Sequence, residues 1–391
     1  MDAAATPVQF CCVECDSIAP PDDVTHSCPD CGGTVRVTFD SEALPDEPGD
    51  FASSSEPGIA RYSNSLDVAI AAVAMGAGGT NPIDCPDIEA THDLESLWIV
   101  DEGRNPTGST VDREMATAVG TATVRGANRV VLPSTGHAAQ SVAAYASRAG
   151  IESLAYVPSR TPFLNKAMAN VHGGELSVVE GRYSDAQNAY ESSDEAGFPV
   201  DPGSPFRQLG AATLAWDVLA GLDWTTPDVI VVPVGHGQRL AGVQAGLTAA
   251  SDAGYVESVP RLYAVQPEGC APIVEAWHSE TSIDSVAVPD TVLGPLEIPE
   301  PALGSVALSA IRESGGGVAT VSDDAALAAA VDANASAGIE CSATGGVALA
   351  GLDKLVERGS IAQGESVLLI DPLAAAGESD ILRSHLMSRG V

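Results

Sequence analysis

The sequence predicts an α/β protein in which helices cover parallel β-sheets, preceded by a small cysteine-rich module. Three observations support this fold class. Short apolar runs alternate with amphipathic segments along most of the 391 residues, which is the pattern of repeated βαβ units. Glycine-rich turns directly follow two of the apolar runs. Five of the eight cysteines lie within the first 31 residues, which sets the N-terminal module apart.

The N-terminal module contains two Cys-x-x-Cys knuckles. The knuckle cysteines are Cys12, Cys15, Cys28 and Cys31. Four thiolates can surround one zinc ion tetrahedrally, and clustered cysteines without a secretory signal indicate metal rather than disulfides. We therefore expect a structural zinc ribbon over residues 1–40, with a redox Cys-x-x-Cys as the alternative and Cys11 as a bystander. A catalytic zinc is not expected, because four thiolates leave no open position on the ion.

The segments after the ribbon predict a linker and then alternating strands and helices. A Pro/Ser/Glu-rich stretch from Ala43 to Pro57 indicates the linker, assigned to residues 41–60. The predicted strands are Leu97–Val100, Arg129–Leu132, Ser153–Val157, Leu176–Val179, Val229–Val232, Leu262–Val265 and Val367–Ile370. The predicted helices are Ser109–Gly126, His137–Ala149, Phe163–Val171, Leu209–Leu219, Arg239–Ala250 and Gly345–Glu357.

The charge balance is strongly acidic, with 53 acidic against 18 basic residues and a formal net charge of −35. The acidic residues are spread through patterned segments, which disfavours both a disordered acidic tail and a localised surface for basic partners. Self-repulsion of this size calls for screening by salt, so the composition is typical of a halophile with high intracellular salt. The negative sign disfavours nucleic-acid binding. No apolar run of about 18 residues predicts a membrane span, and we expect a cytoplasmic protein.

Two glycine-rich turns between a strand and a helix are candidate ligand-binding loops. The candidate residues are Ser134, Thr135, Gly136 and His137 in the first turn, and Gly235, His236, Gly237, Gln238 and Arg239 in the second. Backbone N–H groups at such a turn, together with the helix N-terminus, bind anions. The alternative is that the glycines are needed only for packing, because tight turns between a strand and a helix often require glycine without any ligand. Two such turns in one chain favour a cleft for a small anionic ligand.

A series of motifs occurs in an order that resembles a known family. The motifs are Asp101–Ser109, Ser134–Ala139, Ser204–Arg207, Pro233–Gly242, Val265–Ile273, Ile311–Gly316 and Gly338–Leu352. In this order they resemble threonine synthase and its relatives, which are fold-type II pyridoxal-phosphate (PLP) enzymes, and archaeal members also carry the zinc ribbon. The resemblance implies a two-domain fold-type II architecture. The large domain would comprise residues 61–127 and 201–391, and the small domain residues 128–200.

One position of the resemblance departs from the chemistry of the family. The family's motif N-P-T-G-S-F-K-D-R contains the lysine that forms a Schiff base with PLP. Here Asn105–Arg113 is N-P-T-G-S-T-V-D-R, so Val111 stands at the lysine position. Valine has no amine to hold the aldehyde or to move substrate protons. The two lysines of the chain, Lys166 and Lys354, lie in segments that the family's pattern does not bring to the cofactor.

Four further positions that the resemblance assigns to the same cleft are changed. His137 stands where the family has an asparagine that contacts the hydroxyl of the pyridine ring. Gln238 replaces a glycine in the phosphate cup, where the backbone must approach a phosphate closely. Leu209 stands where an acidic residue is expected, and Asp371 begins the late turn that normally offers a hydroxyl near the ring nitrogen. The resemblance, with these changes, implies no catalytic residue and no bound PLP.

Three functional hypotheses follow. The first is a non-catalytic, threonine synthase-like pseudoenzyme that acts as a scaffold, regulatory subunit or ligand sensor, and that forms a homodimer or a heterodimer with an active paralogue, because family members are dimers. The second is an enzyme with altered chemistry, in which His137, His236 and Asp371 bind a metal or perform acid/base work; histidines that merely fill volume are the simpler alternative. The third is a conventional threonine synthase that holds PLP without a covalent bond.

Overall fold

The computed structural model describes residues 7–390 except 52–54, 67, 69 and 71. Within them the chain forms two compact units. Unit 1 comprises Met1–Gly79, Val111–Thr225 and Ala241–Val259, and unit 2 comprises Thr80–Thr110, Thr226–Leu240 and Pro260–Val391. The chain therefore passes from one unit to the other at the motif that contains Val111. The domain boundaries given by the resemblance stay a prediction.

The strands, in chain order, are β1 (Val8–Cys12), β2 (Ile18–Ala19), β3 (Val35–Phe39), β4 (Ile83–Asp84), β5 (Ser96–Asp101), β6 (Arg129–Pro133), β7 (Glu152–Pro158), β8 (Glu175–Val179), β9 (Phe198–Pro199), β10 (Val229–Pro233), β11 (Arg261–Pro267), β12 (Gly317–Val321) and β13 (Ser366–Asp371). The α-helices are α1 (Pro48–Phe51), α2 (Ser63–Leu66), α3 (Pro86–Thr91), α4 (Val111–Val124), α5 (His137–Ala149), α6 (Phe163–Val171), α7 (Tyr183–Glu191), α8 (Pro205–Gly221), α9 (Gln238–Asp252), α10 (Pro272–Ser279), α11 (Gly304–Glu313), α12 (Asp323–Ser336), α13 (Ala343–Glu357) and α14 (Ser379–Ser388). None of the helices in the described part of the chain is both long and apolar enough to cross a membrane.

Unit 1 contains two sheets. The N-terminal ribbon is a three-stranded antiparallel sheet in the order β2-β1-β3, and the second sheet is four-stranded and parallel in the order β8-β7-β6-β9. The ribbon packs on helix α8. The rings of Phe10 and Phe206 meet edge to face with centroids 5.3 Å apart. The Gln208 side chain accepts a hydrogen bond from Val37 N and donates one to Val35 O, so it extends the ladder of β3.

Unit 2 is built on a six-stranded sheet in the order β12-β11-β10-β13-β5-β4. All neighbouring strands are parallel except β4, which runs antiparallel to β5 at the edge. Every residue of the central strand β10 is buried, as expected for a parallel strand covered on both faces. The carboxyl ends of β5, β10 and β13 therefore lie at one edge of the sheet, where the turns that follow them are positioned.

The structure confirms the predicted α/β class and each predicted strand, with boundaries shifted by no more than two residues. Helix α8 begins earlier than predicted, at Pro205, because proline lacks the N–H that the first turn of a helix leaves unbonded. The sequence analysis did not assign strand β12, which begins in a run of glycines that weakens its apolar pattern.

Candidate functional site

The four knuckle cysteines converge at one end of the ribbon. Their sulfur atoms all lie within 4.8 Å of one another. Cys12 Sγ is 3.5 Å from Cys31 Sγ, and Cys15 Sγ is 3.7 Å from Cys28 Sγ. A tetrahedral zinc ion with Zn–S bonds of about 2.3 Å would separate its sulfur ligands by about 3.8 Å. The four thiols can therefore hold a metal ion of this size and geometry.

The backbone of each knuckle is shaped to point N–H groups at sulfur. Glu14 N donates to Cys12 Sγ, and Gly33 N donates to Cys31 Sγ, both at 3.4 Å. Gly32 has φ +77°, a conformation that glycine adopts without strain, so it permits the turn of the second knuckle. Cys11 lies on β1, outside the group of four.

Helix α4 begins at Val111, the position that the resemblance equates with the family's lysine. Val111 is half-buried, whereas Asp112, Arg113 and Glu114 are buried. The Arg113 guanidinium is fully buried and donates to Asp217 Oδ2 at 2.6 Å. Burial raises the pKa of Asp217, but Arg113 and Arg61 outweigh burial and hold it below the ordinary value. The helix start is thus fixed by a buried charge network that does not depend on the side chain at position 111.

A second buried ion pair follows one residue later. Glu114 Oε2 accepts from Arg207 Nη2 at 2.6 Å and from Nε at 2.9 Å, and both side chains are almost completely buried. Arg207 belongs to the Ser204–Arg207 motif, and Leu209, where an acidic residue was expected, is fully buried. Sequence reasoning did not find Glu114, because its partner lies 93 residues along the chain.

The turn of unit 1, Ser134–His137, joins β6 to α5 and is fixed by its own serine. Ser134 Oγ accepts from Gly136 N at 2.9 Å and from Ala139 N at 3.0 Å. Gly136 has φ +145°, and a Cβ there would lie 3.0 Å from Thr161 Cγ2. The backbone conformation therefore favours glycine at position 136, and a Cβ there would pack tightly against Thr161.

His137 is the first residue of α5, and its ring is buried. Burial lowers its pKa to about 4, so the imidazole is neutral at neutral pH. Asn165 Nδ2, which can only donate, lies 3.5 Å from His137 Nδ1. Nδ1 is therefore the acceptor and Nε2 carries the proton. His137 Nε2 has no hydrogen-bond partner among the described residues, so it is a buried donor at the N-terminus of a helix.

The turn of unit 2, Gly235–Arg239, joins β10 to α9. A Cβ on Gly237, which has φ +91°, would lie 2.7 Å from Leu303 O, so this glycine is required by packing. His236 Nδ1 accepts a hydrogen bond from Ala302 N at 3.4 Å, so the ring faces the segment that contains Ala302. Gln238 is buried, and its Nε2 finds no partner in the described ranges. Arg239 Nη1 donates to Pro233 O.

Asp371 ends strand β13 in unit 2, beside Asp101 at the end of β5. Its Oδ1 accepts from Ser342 Oγ at 2.5 Å, and its Oδ2 accepts from Ser342 N at 3.0 Å. Burial raises the pKa of Asp371 to about 7; the bonds from Ser342 oppose the rise and the Asp101 charge adds to it. Gly345 lies against this carboxylate, with a hypothetical Cβ only 2.4 Å from Oδ1. The carboxyl group thus fits closely at the start of α13.

The fold agrees with comparisons to known proteins. The family described as "Pyridoxal-phosphate dependent enzyme" matches residues 73–372. Among solved structures, maize serine racemase superposes with a TM-score of 0.69 at 17% identity, covering 86% of this chain and 100% of that chain, a likeness that concerns the fold. The match over residues 73–372 places this chain in that class of protein.

Comparison with curated proteins narrows the class. Threonine synthase of Methanosarcina acetivorans is 32% identical over 363 residues, covering 92% of this chain and 89% of that protein. Threonine synthase of Methanocaldococcus jannaschii is 29% identical over 383 residues, covering 94% of each. The chain belongs to the threonine synthase family of fold-type II PLP-dependent enzymes.

Proposed function

We propose that this chain is a non-catalytic member of the threonine synthase family that binds a small anionic ligand and acts as a ligand sensor or regulatory subunit. The observation that carries the proposal is Val111 at the start of α4, inside a motif that keeps its other residues except at Thr110. The amines of both lysines are engaged elsewhere. Lys166 Nζ donates to Ser159 O at 2.7 Å in unit 1. Lys354 pairs with Glu268 at 2.9 Å on the exposed surface of unit 2.

PLP chemistry in this family would require an amine that these residues do not offer. When bound, the cofactor serves as an electron sink for carbanions, and a lysine anchors it and moves protons. The start of α4 presents an alkyl side chain, and Gln238 adds a side chain to the turn of unit 2. The residues present do not fit a covalently held cofactor, and no catalytic step is assigned to them. The proposal therefore departs from the activity that the relatives' name would suggest.

The ligand chemistry follows from the two turns. Each turn precedes a helix of at least 13 residues, and each carries a buried side-chain N–H donor without a partner in the described chain, namely His137 Nε2 and Gln238 Nε2. Helix N-termini attract anions, and a buried donor gains by meeting an acceptor. Each of these donors, taken at its own turn, supports reversible binding of a phosphate- or carboxylate-bearing group. It does not support a covalent reaction.

The other parts of the proposal rest on the ribbon and the composition. We propose a structural zinc ion on Cys12, Cys15, Cys28 and Cys31, since their sulfur separations suit zinc and leave no open position. A cytoplasmic protein of a salt-accumulating organism is supported by the net charge of −35. We also propose that the chain forms a homodimer or a heterodimer with an active paralogue; the heterodimer would bring the sensor to an enzyme.

Chemical trapping tests the loss of catalysis. The purified protein is incubated with PLP, reduced with borohydride and examined by intact-mass and peptide mass spectrometry. We expect no specific pyridoxyl adduct. Any labelling of exposed amines should match that of the unfolded protein, which serves as the reference. The matched variant V111K is expected to form no threonine from phosphohomoserine, because the turns are changed as well. A specific adduct on the natural chain, or threonine formation by it, would overturn the proposal.

Ligand binding is tested separately by calorimetric titration with inorganic phosphate and with O-phosphoserine. Binding is expected, and H137A and Q238A are each expected to weaken it about threefold to tenfold, because each removes one buried donor. E340Q, which changes an exposed glutamate elsewhere, is the control and should bind as the natural chain does. If all variants bind the ligand equally, neither turn binds it, and this part of the proposal is wrong. Elemental analysis should give one zinc per chain, and a second metal would favour the altered-chemistry hypothesis.

A further inference from the structure

A cavity of about 270 Å³ lies within unit 1, on the face of the four-stranded sheet that helix α7 covers. We call it the tyrosine pocket, defined by Tyr156 on β7, Tyr190 on α7 and the segment 191–199. None of the motif residues that carry the resemblance lines it. The sheet contributes Val131 to the lining, and Glu191 at the C-terminal end of α7 also lines the cavity. It is therefore a site distinct from the glycine-rich turns.

Two aromatic rings form the walls of the tyrosine pocket. The rings of Tyr156 and Tyr190 meet edge to face, with centroids 5.9 Å apart and an interplanar angle of 63°. Both hydroxyls are held: Tyr156 Oη shares a hydrogen bond with Ser193 Oγ at 2.6 Å, and Tyr190 Oη donates to Asp201 Oδ2 at 2.9 Å. Because the hydroxyls are engaged, the pocket offers its ligand fixed aromatic surface rather than free hydroxyl groups.

The rim of the tyrosine pocket is negative. Glu191 and Glu195 line it and are exposed. Glu195 pairs with Arg129 at 2.7 Å, but the same guanidinium also meets Glu175 at 2.6 Å and Glu152 at 3.9 Å. One positive charge therefore serves three carboxylates, and Glu191 adds a fourth. Helix α7 ends at Glu191, and the C-terminal end of a helix carries partial negative charge.

We propose that the tyrosine pocket binds a small organic cation, a substituted ammonium ion. Aromatic faces attract cations through their quadrupole, and weakly hydrated alkylammonium groups are favoured over bare metal ions because they also gain from apolar contact. Glu191 and the helix end add attraction of the same sign. An anionic ligand would meet repulsion from the rim, and a neutral one would gain only the apolar contact. The combination of fixed rings and surplus carboxylates selects for positive charge.

The test compares choline with 3,3-dimethyl-1-butanol, its neutral isostere, by calorimetric titration of the full-length protein at the lowest KCl concentration at which it stays folded. Choline is expected to bind one site per chain at least tenfold more tightly than the alcohol, and added KCl should weaken it. Equal affinity for the two probes, or no binding of choline, would overturn the proposal.

Variants locate the site. Y190L removes a ring and is expected to weaken choline binding about tenfold, whereas Y190F keeps the ring and should change binding less than about twofold. E191Q removes one rim charge and is expected to weaken binding about twofold to threefold, and E340Q serves as its charge-matched control. If Y190L does not fold, the choline affinities of E191Q and Y190F still test the proposal. Binding by E191Q equal to that of E340Q would contradict the role of the rim.

Discussion

The cysteine site and the start of helix α4 are both marked by short, specific motifs, yet they differ in completeness. At the cysteine site the four thiols lie within 4.8 Å of one another, and backbone amides point at sulfur. At the start of α4 the packing is complete, with Arg113 and Asp217 paired at 2.6 Å, but the side chain at position 111 is alkyl. The packing at the start of α4 therefore does not require an amine at position 111, because packing and chemistry depend on different side chains.

The largest expected effect concerns the cysteine site. C28S leaves three thiolates around the ion, and structural zinc contributes about 10–16 kcal/mol of binding in zinc-finger peptides at neutral pH. We expect C28S to lose the metal and the ribbon to unfold, with a lower midpoint of thermal unfolding because the ribbon packs on α8 through Phe10 and Gln208. Metal content and thermal unfolding check this. C11S is the control and should keep both. A metal-loaded C28S with unchanged stability would contradict the site.

The next effect tests whether the start of α4 is kept for packing. D217N removes the charge that faces the fully buried Arg113 guanidinium, and breaking a buried ion pair costs about 3–5 kcal/mol of unfolding free energy. E268Q removes the partner of Lys354 in an exposed pair and should cost about 1 kcal/mol or less. Urea unfolding measures both. Similar costs for the two variants would show that the buried network does not stabilise the helix start.

A smaller effect separates packing from ligand binding in the turn of unit 2. G237A places a Cβ 2.7 Å from Leu303 O, whereas G364A, also at positive φ, meets no atom within 4 Å. Both variants carry backbone strain of about 1–2 kcal/mol, and overpacking adds about 1–3 kcal/mol for G237A alone. Equal denaturant midpoints for the two would indicate that the turn can shift, and that its glycine serves a ligand rather than packing.

The smallest effect is a pH dependence. The pKa of Asp371 is raised to about 7 in the folded protein, against about 3.9 for an unfolded aspartate. The folded state therefore binds a proton that the unfolded state releases. The resulting stability is present below pH 4 and is lost as pH rises through 7. D371N should remove this dependence, so its destabilisation relative to the natural chain is larger at pH 5 than at pH 8 by about 1 kcal/mol or more. A pH-independent difference in urea unfolding would argue against an elevated pKa.

The sequence analysis anticipated elements whose signal is local. The strands from Leu97 to Ile370 were found because short, mainly apolar runs of four or five residues bounded by turn residues predict buried parallel strands. Beyond the ribbon, strands β4, β9 and β12 and helices α1, α2, α3, α7, α10, α11, α12 and α14 were not assigned. The glycines at the start of β12 obscure its pattern, and α12 is so rich in alanine that its buried and exposed faces differ little in sequence. In both cases the burial that defines the element comes from neighbours distant in the chain.

The sequence by itself determined the α/β class, the four cysteines of the ribbon and the absence of an amine at position 111, because each depends on residue type or on spacing over a few residues. Only the tertiary structure decided which charges are paired. Glu114 meets Arg207 and Arg113 meets Asp217 across about a hundred residues of chain. It also decided that His137 is neutral, that the Asp371 pKa is raised, and that Tyr156 and Tyr190 line one cavity. Burial and pairing arise from the route of the chain through its sheets, and local sequence does not encode that route.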